Sequence, residues 1–192
     1  MKNTVRTFVA VKIDQRVLRT AAKLIDKLSA TAADINWVAP ENMHMTLKFL
    51  GDVPLKETAR ICQAVQKATE EVEPFELAIG GVGAFPTPAR PRTIWIGSQS
   101  GEESMVALHK HLETHLAKLG FRKDSRRFAA HLTIGRVRRG GPDLAELAAR
   151  IETNAQFEIG KTVVREAVVF SSQLTREGPV YHPIGRAKLG GG

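Results

Sequence analysis

The chain has 192 residues, 43% hydrophobic and 25% charged, which is enough for one sizeable folded domain and an ordinary charge content for a globular one. A formal net charge of +8 favours an anionic partner through long-range, salt-sensitive attraction. The single cysteine, Cys62, excludes an intrachain disulfide and a four-cysteine zinc site, and no apolar run approaches the roughly 20 residues that span a bilayer, so a cytoplasmic protein with no membrane partner is expected.

In chain order, the β-branched stretch "VRTFVAV" opens a first strand over 5–13. Apolar residues at helical spacing (Leu18, Ala21, Ala22, Ile25, Leu28) predict a helix over 15–30. The run "HMTLKFLG" (44–51) alternates as a strand. A second helix follows at about 54–72, where Cys62 lies beside the stripe Ile61, Val65, Ala68 and Val72 and is expected to be buried packing. Extended runs are expected at 75–85 and 92–98, then a helix over 102–120 that Gly120 stops. "HLTIGRVR" (131–138) reads as another strand, "GPD" starts a last helix over 141–155, and 156–170 is extended. The Gly- and Pro-rich or turn-forming runs 80–92 and 171–180 read as connections.

The order repeats. His44 and His131 are 87 positions apart, Arg6 and Arg92 are 86 apart, Phe75 and Phe157 are 82 apart, and Phe85 and Phe170 are 85 apart. The repeats run approximately over 5–85 and 91–170. The expected fold is therefore α+β and bilobal. Two pseudo-twofold-related β-α-β-α-β lobes, with antiparallel sheets, would flank a central cleft. Residues 1–192 form one domain, and the lobes are free to exchange terminal strands.

Each repeat carries one His-x-Thr triplet. Residues i and i+2 of a strand share a face, so His44 and Thr46 point one way and Met45, Leu47 and Phe49 the other. His131 and Thr133 share a face in the same manner, opposite Leu132 and Ile134. Two imidazoles across one groove can serve as base and acid on opposite sides of a reacting centre, since a histidine titrates near neutral pH. Threonine hydroxyls can donate to an oxygen that gains negative charge. A phosphodiester suits that set. By the same parity Lys48 shares the His44 face, as a rim lysine and a candidate substrate contact. Arg136, five residues after His131, points away unless the strand bulges, which Gly135 makes plausible.

His111 and His115 are spaced i, i+4 on a helix, but "HLETH" lacks the HExxH order and no further cluster is evident, so no metal is expected. His109 and His182 have no motif around them. "RRGG" and "KDSRR" read as solvated charge that could steer an anionic partner. With only 6% aromatic residues, an extensive base-stacking platform is not expected, and Phe8, Trp37 and Trp95 read as core or cleft wall.

The contexts of the two triplets, "NWVAPENMHMTLKFLGDV" and "RRFAAHLTIGRVRR", together with "IGGVGAFPTPARPRTIWIG", resemble the two-histidine (2H) phosphoesterase superfamily, and within it the LigT-like RNA 2′,3′-cyclic phosphodiesterases, also described as bacterial 2′-5′ RNA ligases. The resemblance runs along nearly the whole chain. It implies metal- and cofactor-independent opening of a terminal 2′,3′-cyclic phosphate on RNA to a 2′-phosphate, with ATP-independent 2′-5′ ligation when a 5′-hydroxyl replaces water. It assigns His44 as proton donor, His131 as proton acceptor, and Thr46, Thr133 and Arg136 as phosphate contacts. One departure is Ala130, where the family commonly has proline before the second histidine. Two other readings stay open: a non-catalytic RNA- or nucleotide-binding module, and an enzyme acting on a small cyclic nucleotide. No obligate protein partner is implied.

Overall fold

The computed structural model describes residues 3–141, 143–176 and 178–191. The strands and helices are β1 (Thr4–Val11), α1 (Gln15–Ser29), β2 (Ile35–Trp37), β3 (Met45–Pro54), α2 (Thr58–Thr69), β4 (Phe75–Thr87), β5 (Arg90–Ser100), α3 (Glu102–Ala117), β6 (Leu132–Val137), α4 (Leu144–Thr153), β7 (Glu158–Val164), β8 (Glu166–Leu174) and β9 (Pro179–Lys188). Gly120 closes the turn after α3 with φ +89°, a conformation that suits glycine, as expected of a stop. Pro142 of the expected "GPD" start lies outside the described residues; α4 begins after Asp143.

All described strands join one antiparallel sheet in the order β7-β4-β5-β6-β3-β1-β8-β9, with β2 also beside β6. The expected pair of sheets is thus one continuous sheet, because β3 and β6 meet in the middle through a single pair, Met45 with Leu132. Chain order crosses the middle: β4 pairs with β5 and β7, while β8 pairs with β1 and β9. Two expected connections are mostly strand. Run 80–92 holds the ends of β4 and β5 with a two-residue turn between them, and 171–180 holds the end of β8 and the start of β9.

The helices cover one face. α1 and α4 pack over β7, β4 and β5, and α2 and α3 over β8, β9, β3 and β5. Their apolar stripes account for this: Val17, Leu18, Ala21, Leu24 and Leu28 of α1 are buried, and so are Met105, Leu108, Leu112 and Leu116 of α3. Burying each such leucine contributes roughly 1.5–3 kcal/mol. β1 is buried on both faces from Thr7 onward. Val9 and Val11 enter the helix-side core, while Phe8 and Ala10 join Val168, Phe170 and Tyr181 in a second cluster on the opposite side. Cys62 of α2 is half-buried rather than fully buried, and its Sγ lies 3.8 Å from the Ile184 carbonyl on β9.

The sheet curls toward its helix-free face. β3 and β9 are three strand spacings apart, about 14 Å if flat. Yet the ring of Tyr181 on β9 lies 5.1 Å from the ring of His44, next to β3. Strand twist accumulated over this sheet closes it into a half-barrel whose hollow side is a groove.

Candidate active site

Met45 and Leu132, the middle residues of the two triplets, face each other across the antiparallel pair and are fully buried on the helix side. Their sequence neighbours therefore turn to the groove. This sets His44 opposite Thr133 and Thr46 opposite His131, all four half-buried. The two histidines occupy diagonal positions, about 7–8 Å apart at the backbone by sheet geometry.

Both imidazoles are held the same way. His44 Nδ1 donates to the Asn42 carbonyl at 2.8 Å, and His131 Nδ1 donates to the Ala129 carbonyl at 2.8 Å. A carbonyl can only accept, so Nδ1 carries the proton in each ring and Nε2 is left for chemistry. Asn42 sits in a 3-10 turn, Pro40–Asn42, and its Nδ2 donates to the Pro179 carbonyl at 3.2 Å, which fastens β9 to the entry of β3. Ala130 is buried between the carbonyl that orients His131 and His131 itself.

The walls differ. His44 stacks on Phe8 at 4.8 Å and 28°, meets Tyr181 edge-on at 89°, and has Phe170 at 6.2 Å. His131 has the ring of Phe85 edge-on at 5.3 Å, and Phe85 in turn lies 5.2 Å from Trp95. Burial pushes the pKa of His44 below the ordinary histidine value; its bond to the Asn42 carbonyl raises it, and the positive charge of Arg136 lowers it further. Burial likewise raises the Tyr181 hydroxyl, with Arg136 and Arg6 acting in the opposite sense.

Both motif strands bulge at the same place. Thr46 pairs with Ala10 but Lys48 with Val9, so Leu47 is an extra residue. Thr133 pairs with Trp95 but Gly135 with Ile94, so Ile134 is the extra residue. A bulge inverts parity beyond it. Arg136 now pairs with Thr93 and shares the face of Thr133, exposed in the groove, where its charge reaches His44 and Tyr181. Gly135 takes the tight position: a Cβ there would lie 2.9 Å from the Trp37 ring. At the matching point of β3 the face expected for Lys48 is corrected. It does not share the His44 face but turns to the helix side, 3% exposed, where Nζ is bonded to the carboxylate of Glu113. Phe49 takes the groove position in its place, 65% exposed.

Sequence reasoning missed Tyr181 and Phe170, whose strands lie more than 120 positions from His44, and saw no signal for a cluster of His109, Glu113 and Asp124. Those three have the donor atoms of a cation site, but the Lys48 ammonium already lies on Glu113 and 3.4 Å from Asp124. His111 and His115 instead clasp Glu71 of the segment after α2, at 3.0 and 2.7 Å, and the bond from His115 holds the Glu71 carboxyl below its usual range. Among the described residues no helix is long and apolar enough to cross a membrane.

Comparisons with known proteins bear on the family and the fold. The family model described as LigT like Phosphoesterase matches twice, over residues 11–95 and 96–181. A protein of Archaeoglobus fulgidus named RNA 2′,3′-cyclic phosphodiesterase is 38% identical over 92% of this chain and 96% of its own length. One of the same name from Methanothermobacter thermautotrophicus is 37% identical over 92% and 95%. Among solved structures, E. coli LigT complexed with 3′-AMP superposes with a TM-score of 0.75 over 97% of this chain and 98% of that one, at 21% identity. Two matched repeats, each with one His-x-Thr strand and joined at Met45–Leu132, have a direct reading: the chain belongs to the LigT-like phosphoesterase family.

Proposed function

We propose that this chain hydrolyses 2′,3′-cyclic phosphate ends of RNA to 2′-phosphates by two-histidine acid–base catalysis. One observation carries the reading: the Met45–Leu132 pair sets two imidazoles and two threonine hydroxyls on one face of one groove. The Nδ1 bonds to Asn42 and Ala129 leave both Nε2 atoms free toward that groove.

The steps balance without a redox partner. His131 Nε2 takes a proton from water as its oxygen forms a bond to phosphorus. The bond from phosphorus to the 3′ oxygen breaks, and that oxygen takes a proton from His44 Nε2. The proton on His131 and the vacancy on His44 are restored by exchange with solvent. Thr46 and Thr133 donate to the non-bridging oxygens, and the Arg136 guanidinium neutralises the charge gathered there. A 5′-hydroxyl in place of water gives 2′-5′ ligation by the same proton transfers.

The lowered pKa of His44 bears on its role as acid. An empty groove favours neutral His44, because burial and Arg136 both oppose its charge. A bound phosphate would offset the charge of Arg136 and offer an anionic partner to the imidazolium, so the acid is charged by the substrate it serves. A pure binding module would need the arginine but not two oriented imidazoles with free Nε2 atoms. The cytoplasmic location expected of an RNA-processing enzyme belongs to this same proposal.

The test is incubation with an RNA oligonucleotide ending in 2′,3′-cyclic phosphate, in excess chelator, with the product identified by phosphorus NMR. A 2′-phosphate is expected. A 3′-phosphate, or activity that appears only on adding a divalent metal, would overturn the proposal.

A further inference from the structure

His131 is reached through a long irregular segment. Between the turn that follows α3 and the start of β6, residues 121–131 have neither helix nor strand, and 122–127 are exposed. A catalytic imidazole at the end of such a segment needs anchors that are not ladder hydrogen bonds. The structure supplies them from behind the sheet. The Lys48 ammonium donates to the Arg122 carbonyl at 3.0 Å, bonds to the Glu113 carboxylate and lies 3.4 Å from Asp124 Oδ1. The Asp124 amide donates to Glu113 Oε2 at 3.0 Å. His109 Nε2 lies 3.6 Å from Glu113 and 3.7 Å from Asp124, and its ring stacks on Phe128 at 4.4 Å and 13°.

We propose that Lys48 is a positioning residue for His131. It stands in β3 four residues after His44, and the Leu47 bulge turns it through the sheet to the segment that delivers the other histidine. One side chain thus ties the strand of the first triplet to the approach of the second. The cluster of Glu113, Asp124 and His109 draws a cation, and the cation is Lys48. Removing the ammonium leaves a buried carboxylate unpaired and the Arg122 carbonyl without its donor. It also frees the lead-in to His131, and misplacement of a catalytic group by about 1 Å costs on the order of 100-fold in rate.

The inference rests on the catalytic reading above, and the experiment separates the two. Three proteins are compared: wild type, Lys48→Met, and Lys48→Met combined with Glu113→Met, which removes the unpaired buried charge. Each is measured for Tm, for kcat and KM on RNA 2′,3′-cyclic phosphate, and for amide hydrogen exchange over 121–130. In Lys48→Met, kcat should fall about 100-fold with KM little changed. In the double variant Tm should return toward wild type while kcat stays low, and in both variants the 121–130 amides should exchange faster than in wild type. Recovery of kcat together with Tm in the double variant would reduce Lys48 to a structural role and overturn the proposal, as would wild-type kcat in Lys48→Met. A wild type that turns over no RNA would sink the catalytic reading. Exchange would then decide the anchoring separately, with unchanged rates over 121–130 overturning it.

Discussion

Met45 pairs with Leu132, and through that pair the middle residues of two similar triplets meet at the centre of one sheet. The pair lies on the helix side, so His44, Thr46, His131 and Thr133 have no choice but the groove. A slip of one residue here would turn one strand over and take its histidine and threonine to the core, which a buried Met–Leu contact strongly opposes.

If the histidines transfer different protons, each is indispensable. His44→Ala and His131→Ala should each lower kcat/KM by roughly 10²–10⁴-fold. The double variant should be little worse than the poorer single, because groups acting on one transition state are strongly non-additive. Steady-state kinetics on one RNA substrate measures all three, and wild-type turnover in either single variant would refute the pairing.

The protonation of His44 should depend on the ligand. In the free protein its pKa lies below the ordinary value, since burial and Arg136 favour the neutral ring. It should rise when inorganic phosphate occupies the groove, as followed by NMR titration of the ring signals; no movement would disconnect Arg136 from His44. Linkage gives the sign for stability. The folded state holds this proton less tightly than the unfolded chain, so its contribution is full above the ordinary histidine pKa. It is lost as pH falls through that value and down through the lowered folded one.

Arg136→Gln should raise KM more than it lowers kcat, flatten the salt dependence of kcat/KM, and move the His44 pKa upward in the free protein. An unchanged KM, measured at two salt concentrations, would show that the guanidinium does not contact the phosphate.

Gly135→Val tests the bulge. A Cβ at this position would press on Trp37 at 2.9 Å and Ile35 at 3.1 Å, so overpacking of about 1–3 kcal/mol is expected by denaturant unfolding. Activity should fall with it, since Arg136 follows directly; full stability would mean that the Trp37 contact is loose.

The two histidines and two threonines were legible because i and i+2 positions stay within one regular stretch of strand. Beyond each threonine the period breaks. Leu47 and Ile134 are ordinary apolar residues, and nothing in their chemistry announces that they are extra. Arg136 could be placed because Gly135 hinted at a bulge, whereas β3 has no glycine beside Lys48, and the face expected for it was reversed. β9 was hidden for another reason: its start at Pro179 falls in the run 171–180 that reads as a connection, yet an edge strand tolerates proline because its outer N–H needs no partner. With β9 hidden, Tyr181 could not be set against His44. The curl of the sheet that brings them together is a sum of small twists that no single residue encodes.

The most direct measurement of the central claim is the pH profile of kcat/KM for wild type, His44→Ala and His131→Ala on RNA 2′,3′-cyclic phosphate. Wild type should give a bell whose two apparent pKa values belong to the pair. His131→Ala should lose the limb that rises with pH, where the base is deprotonated. His44→Ala should lose the limb that falls, where the acid gives up its proton. A full bell in both variants would contradict acid–base catalysis by these two histidines.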